Sequence, residues 1–101
     1  MEEVWKPLEI YNGEYAVSSH GRVMSLKNGV ERIFKPSVGS AGYPQVTITF
    51  GKNRKSRAVH RLVAIAFDMI QDGLEINHID GNKCNNNLNN LELCTRAYNM
   101  K

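Results

Sequence analysis

Cysteine is scarce in this chain, and the two present, Cys84 and Cys94, lie ten residues apart with no C-x-x-C spacing. An isolated pair of this kind reads as two plain thiols, which argues against a disulfide scaffold and against a cysteine-based zinc site. Long apolar runs are missing as well: nothing approaches the roughly 20 apolar residues that a membrane helix needs, so no membrane partner is expected. The acidic start "MEEVWK" lacks the basic and apolar regions of a secretion signal, which makes a cytosolic location the expectation. No internal repeat, linker or low-complexity tail divides the 101 residues, so their length implies one domain with one modest core. The net charge of +3 fits a polyanion partner without requiring one, and its distribution matters more than its size.

What is present begins with short apolar pieces cut by turn formers. "YAVS", "RVMSL", "RIFKP" and "PQVTITF" are separated by "SSHG", "KNGVE" and "VGSAGY", a spacing that predicts a small antiparallel meander. In "QVTITF" the alternation puts Val46, Ile48 and Phe50 on one face and Thr47 and Thr49 on the other. "GKNRK" follows as a hairpin turn and "KSRAV" as the return strand. From Val59 the period changes, because Val59, Leu62, Val63, Ala66 and Phe67 recur at helical spacing, and Gly73 offers a stop. The remainder reads as a strand "EINHI", a polar loop "DGNKCNNNLNN", a strand "LELC", and a last helix at "RAYNMK" capped by Thr95.

That last third, "NHIDGNKCNNNLNNLELCTRAYN", contains eight asparagines between positions 77 and 99. Asparagine is a poor core residue and a poor strand former, so such a density needs work in turns, polar networks or metal chemistry. A strand–loop–strand–helix path brings Asn77, His78 and Asn99 together and places Asn90 near His78. Imidazole accepts a proton from water near neutral pH, and amide oxygens are hard donors that suit a magnesium-like ion completed by water and phosphate. A further amide such as Asn90 can fix the imidazole tautomer. These parts describe metal-assisted phosphodiester hydrolysis. Spacing alone also admits a plainer reading, an Asn-rich loop that satisfies its own backbone beside a surface histidine.

The whole chain resembles a known arrangement. "VHRLVAIAF…INHIDGNKCNNNLNNLELCTRAYN" is similar to the HNH motif of phage homing endonucleases, the ββα-metal fold. "EEVWKPLEIYNGEYAVSSHGRVMSLKNG" is similar to the nuclease-associated module that precedes HNH domains in that family, with its Trp, Tyr-x-Val-Ser and Gly-Arg-Val-x-Ser-Leu. The resemblance implies an α+β fold. Residues 1–50 would form an N-terminal module of small antiparallel sheet and hairpins, and residues 51–101 a central helix with a C-terminal ββα-metal motif, the two making one compact unit. It implies a phage- or bacterium-encoded endonuclease acting on double-stranded DNA with one divalent cation, Mg2+ or Mn2+, per active site.

Carried over by position, the general base falls on His78, the asparagine that steadies it on Asn90, and the two metal ligands on Asn77 and Asn99. Close relatives often have aspartate where this chain has Asn77. An amide lends oxygen without charge, so weak cation binding in the absence of DNA is expected. The chain stops two residues after Asn99, where family members commonly continue into a DNA-reading domain. A minimal nuclease, a fragment, and a chain completed by a neighbouring copy all fit that ending. A homodimer would give one site per strand for a double-strand break, and a non-catalytic DNA-binding module is the alternative reading.

Basic residues concentrate in "GKNRKSRAVHR", where Lys52, Arg54, Lys55, Arg57 and Arg61 form an expected phosphate-binding cluster, with Arg22 and Lys27 as further contacts. Such contacts position a duplex and do not read bases. His60 reads as a packed histidine, His20 as a turn residue, Trp5 as an anchor for the N-terminus, and Asp80 first as half of an Asp-Gly turn.

Overall fold

The alternation in "QVTITF" becomes β6 (Pro44–Phe50), with Val46 and Ile48 buried and Thr47 and Thr49 exposed. The computed structural model that shows this describes residues 2–95. Gly51, at φ +62°, and Lys52 make a two-residue turn, and β7 (Asn53–Ala58) returns with Asn53 opposite Phe50. A glycine at positive φ matches the twist of a tight hairpin, so the return strand starts two residues before the expected Lys55. β5 (Ser37–Val38) pairs on the other side of β6, leaving β7 at the edge of this three-stranded sheet.

The expected single meander is two sheets. β1 (Trp5–Pro7), β2 (Tyr15–Ser18), β3 (Val23–Ser25) and β4 (Arg32–Ile33) form an antiparallel sheet in that order, and the ladder ends before Pro36. Proline has no N–H to give a ladder, which suits the break between β4 and β5.

α1 (Val59–Ala66) buries Val59, Leu62, Val63 and Ala64 and ends earlier than Gly73. Asp68 adopts φ +58°, its N–H donates to Ile65 O, and Met69 N–H donates to Ala64 O at 2.7 Å. This is the Schellman closure, made here by a residue other than glycine. Gly73, at φ +83°, instead serves the turn that leads into β8 (Glu75–His78). β8 pairs antiparallel with β9 (Leu91–Cys94), Asn77 opposite Glu92 and His78 opposite Leu91. The last helix expected at "RAYNMK" lies outside the described residues.

One core serves all three sheets and the helix. Leu8, Tyr15, Val17, Val23, Val46, Ile48, Val59, Leu62, Val63 and Leu91 form a single buried cluster. Tyr15 also bridges sheets through its hydroxyl, which donates to Thr49 O at 2.9 Å and accepts from Thr49 N–H at 3.1 Å. The β8–β9 hairpin is thereby held on the same body as the N-terminal sheet.

Candidate active site

The loop between β8 and β9, residues 79–90, is built by its own side chains. Asp80 accepts from Asn82 N–H at 2.8 Å, from Asn85 Nδ2 at 2.9 Å and from Asn90 Nδ2 at 2.9 Å. These hydrogen bonds, Asn85's foremost, hold its carboxyl below the usual aspartate range. Asn82 Oδ1 accepts from Cys84 N–H, and Asn85 Oδ1 from Asn87 Nδ2. Asp80 is thus the hub of the turn, occupied by three amide donors.

His78 ends β8 and is 6% exposed. Its Nε2 lies 2.7 Å from Asn86 Oδ1, and Asn86 is itself buried. In a neutral imidazole, an amide oxygen facing Nε2 favours the proton on Nε2 and the lone pair on Nδ1. The imidazole contact expected of Asn90 is therefore made by Asn86. Asn90 lies one residue beyond the His78–Leu91 pair; its carbonyl accepts from Ile79 N–H at 2.8 Å and its amide from Asp80 N–H at 3.1 Å, while Nδ2 also donates to Asn85 O. It closes the turn that follows His78, because buried loop backbone must find partners.

Two more rings stand close to His78. His60 stands edge-on to it at 5.1 Å between centroids, and Tyr43 lies 5.0 Å from His60 and 6.0 Å from His78. Lys83 crosses from the asparagine loop, with Nζ 4.7 Å from the Tyr43 ring and donating to Ala41 O at 2.7 Å. His60 Nδ1 is buried with no hydrogen-bond partner among the described residues. Burial, then the neighbouring His78 and Arg61, pushes the His60 imidazole down to about 4. Packing of His60 agrees with its helical position; its place against His78 was not visible from the sequence.

Asn77, the residue before His78, points to other partners. Its Nδ2 donates to Glu92 Oε1 at 2.9 Å, directly across the ladder. Nδ2 is thus committed to a carboxylate, and Oδ1 is the atom with donor chemistry for a hard cation. Charge absent from position 77 is supplied one strand away by Glu92. Asn99 lies outside the described residues. Among the described residues no group of three or more His, Cys, Asp or Glu side chains gathers as a metal site. The donor set at β8 is amide oxygen beside one carboxylate, a chemistry that fits an oxygen-seeking divalent ion.

The basic residues form a stripe along β7 that extends past the hairpin tip. Lys52, Arg54, Lys55 and Arg57 are all exposed, as is Arg61 on α1. In the β6–β7 register, Lys55 faces with Ile48 and Arg57 with Val46, whereas Arg54 faces with Thr49. The charge therefore shows on both faces of an edge strand. Arg22 is committed elsewhere: it makes a two-pronged ion pair with Glu3, whose carboxyl is held down at about 2 by Arg22 and then by Ser18. Lys27 Nζ donates to Thr49 O at 2.7 Å and sits 5.3 Å from the Tyr15 ring.

The HNH endonuclease model matches residues 57–101, which hold α1, β8, the asparagine loop and β9, and the NUMOD4 motif matches residues 3–49 ahead of it. Over residues 57–101 the chain is similar to the HNH endonucleases. Among its relatives, the DNA endonuclease I-HmuI of Bacillus phage SP01 is 39% identical over 96% of this chain and 55% of its own length. The H-N-H endonuclease F-TflII of Escherichia phage T5 is 37% identical over 82% of this chain and 44% of its own. The solved structure described as "DNA binding and cleavage by the HNH homing endonuclease I-HmuI" superposes with a TM-score of 0.85 at 40% identity, covering 99% of this chain and 56% of that one. The chain thus spans about half the length of I-HmuI.

Proposed function

We propose that the chain is a metal-dependent endonuclease that nicks or cleaves double-stranded DNA, with His78 as general base, Asn77 and Asn99 as ligands of one Mg2+ or Mn2+, and Asn90 as the residue that closes the loop behind the base. The observation that carries this reading is the buried His78 imidazole, pinned through Nε2 by Asn86 Oδ1 at 2.7 Å. A base must present one nitrogen with an unused lone pair, and an amide acceptor on the other nitrogen secures that state. A divalent cation bound by the amide oxygens would stabilise charge on the phosphate and the leaving oxygen. The match of residues 57–101 to the HNH endonuclease model and the DNA-directed activity named for I-HmuI support the substrate class.

The stripe Lys52, Arg54, Lys55, Arg57 with Arg61 is where phosphates of the duplex would lie, and Arg22 and Lys27, already engaged by Glu3 and Thr49, would add less. A homodimer would serve both strands. The neutral Asn77, hydrogen-bonded to Glu92, favours a second reading, a DNA-binding module without turnover. A supercoiled-plasmid assay separates the two. Under the first reading the wild type nicks with magnesium or manganese, and the nicking disappears with chelator and in His78→Ala. Undiminished cutting by His78→Ala would remove the base assignment, and intact plasmid beside a salt-sensitive gel shift would establish the binding module.

A further inference from the structure

The turn between β2 and β3 belongs to the segment matched by the NUMOD4 motif, yet it is packed against the asparagine loop of the HNH segment. Ser18 shapes that turn, its Oγ accepting from His20 N–H at 3.2 Å and Arg22 N–H at 3.1 Å, and Gly21 N–H donates to Ser18 O at 3.0 Å. Ser19 O accepts from Leu88 N–H at 2.7 Å, a backbone bond between the two segments. Ser18 and Ser19 are 0% and 1% exposed. Gly21 comes closest of all: a Cβ at this position would stand 2.8 Å from Asn86 Cβ, 2.8 Å from Asn86 O and 2.9 Å from Asn86 C. Its φ of +84° adds a second reason for glycine. The residue so closely approached is the one that holds His78 Nε2.

We infer that Asn86 is the positioning residue of the His78 base and that the Gly21 turn sets its place, so the N-terminal module is a structural part of the active site. The inference rests on the reading of His78 as base. Asn86 does not touch substrate; it acts by keeping the proton on Nε2 and the ring in one orientation. Backbone contact is what makes the turn effective, because Asn86 O and C cannot rotate aside as a flexible side-chain end can. Any side chain at position 21 must displace the loop backbone and draw Oδ1 away from the imidazole.

The test uses the full chain and two readouts. Nitrogen chemical shifts of His78, recorded well above the imidazole titration range without metal or DNA, report the tautomer. Nicking kinetics with magnesium report kcat and KM. Wild type is expected to show the Nε2–H form. Asn86→Ala should give mixed tautomers and lose about 10- to 100-fold in kcat, the size usual for residues that orient a working side chain, with KM for DNA unchanged. Asn86→Asp, which keeps an acceptor oxygen, should retain the Nε2–H form and most of the activity. Gly21→Ala should resemble Asn86→Ala, whereas Gly13→Ala, at φ +74° with nothing within 4 Å of its added Cβ, should match wild type in both readouts. An Asn86→Ala chain with unmixed Nε2–H tautomer and wild-type kcat would overturn the inference, as would a folded Asn86→Asp chain that has lost that tautomer. Equal behaviour of Gly21→Ala and Gly13→Ala would overturn the part assigned to the turn. The tautomer measurement decides the positioning even in a chain that cuts no DNA, so its failure is distinct from failure of the nuclease reading.

Discussion

Asn77 and His78 are neighbours on β8 whose side chains serve different partners, Glu92 across the ladder and Asn86 in the loop. Replacing the amide by a carboxylate tests whether position 77 faces a cation. Asn77→Asp sets a second negative charge where an N–H donated to Glu92 at 2.9 Å, and like charges at that range disfavour one another. Its melting temperature in chelator should fall below that of wild type and rise when magnesium is added, since a ligand that binds only the folded chain stabilises it. Thermal melts with and without magnesium read this directly; a variant indifferent to magnesium would take position 77 out of the metal site. His60 makes a second residue-scale prediction. Its folded value of about 4 lies below the ordinary 6.5, so between those values the unfolded chain binds the proton that the folded chain refuses. Stability from this group is complete above about pH 6.5 and drains away as pH falls toward 4. His60→Phe removes the titration and the unpartnered Nδ1, so denaturant midpoints should stay near wild type at neutral pH and depend less on pH across that window. An unaltered slope would assign the acid sensitivity to other groups.

At the scale of elements, β7 is an edge strand whose cationic side chains appear on both faces. Such charge blunts strand-to-strand aggregation, and it also offers a line of phosphate partners. The two roles differ in salt dependence. If Arg54 and Lys55 contact phosphates, alanine at either should lower the slope of log affinity against log salt by about one, equally on unrelated duplexes. Gel shifts at several salt concentrations measure that slope, and slopes equal to wild type would return the stripe to its edge-protecting role. The stripe and α1 were both legible from spacing, because a period of two and a period near 3.6 survive any tertiary arrangement. The end of α1 was less so. Asp68 closes it in a conformation that glycine usually supplies, and nothing in "DMIQDG" favours Asp68 over Gly73 as the stop.

At the scale of the whole molecule, the segments matched by the two family models share one core: Leu8, Val17 and Val23 from one, Leu62, Val63 and Leu91 from the other. Apolar area buried between segments is lost if either is expressed alone. The full chain should therefore unfold in one cooperative transition, with calorimetric and van't Hoff enthalpies in agreement, and residues 1–50 or 51–101 alone should show no comparable transition. Two separable transitions in the full chain would show that the halves are independent domains.

Composition and period alone determined the helix from Val59, the β6–β7 hairpin, the basic stripe and the β8–loop–β9 order, since each depends on local alternation or on residue types near one another in the chain. The motif also singles out His78 and its asparagines. Which asparagine reaches the imidazole could be decided only in three dimensions. Asn85, Asn86 and Asn87 are chemically identical in sequence, and burial of Asn86 beneath Gly21, 65 residues earlier, is what separates them. The same holds for His60 and Tyr43 around His78, for Glu92 opposite Asn77, and for the split into two sheets: each is set by contacts between distant segments, which local spacing does not encode.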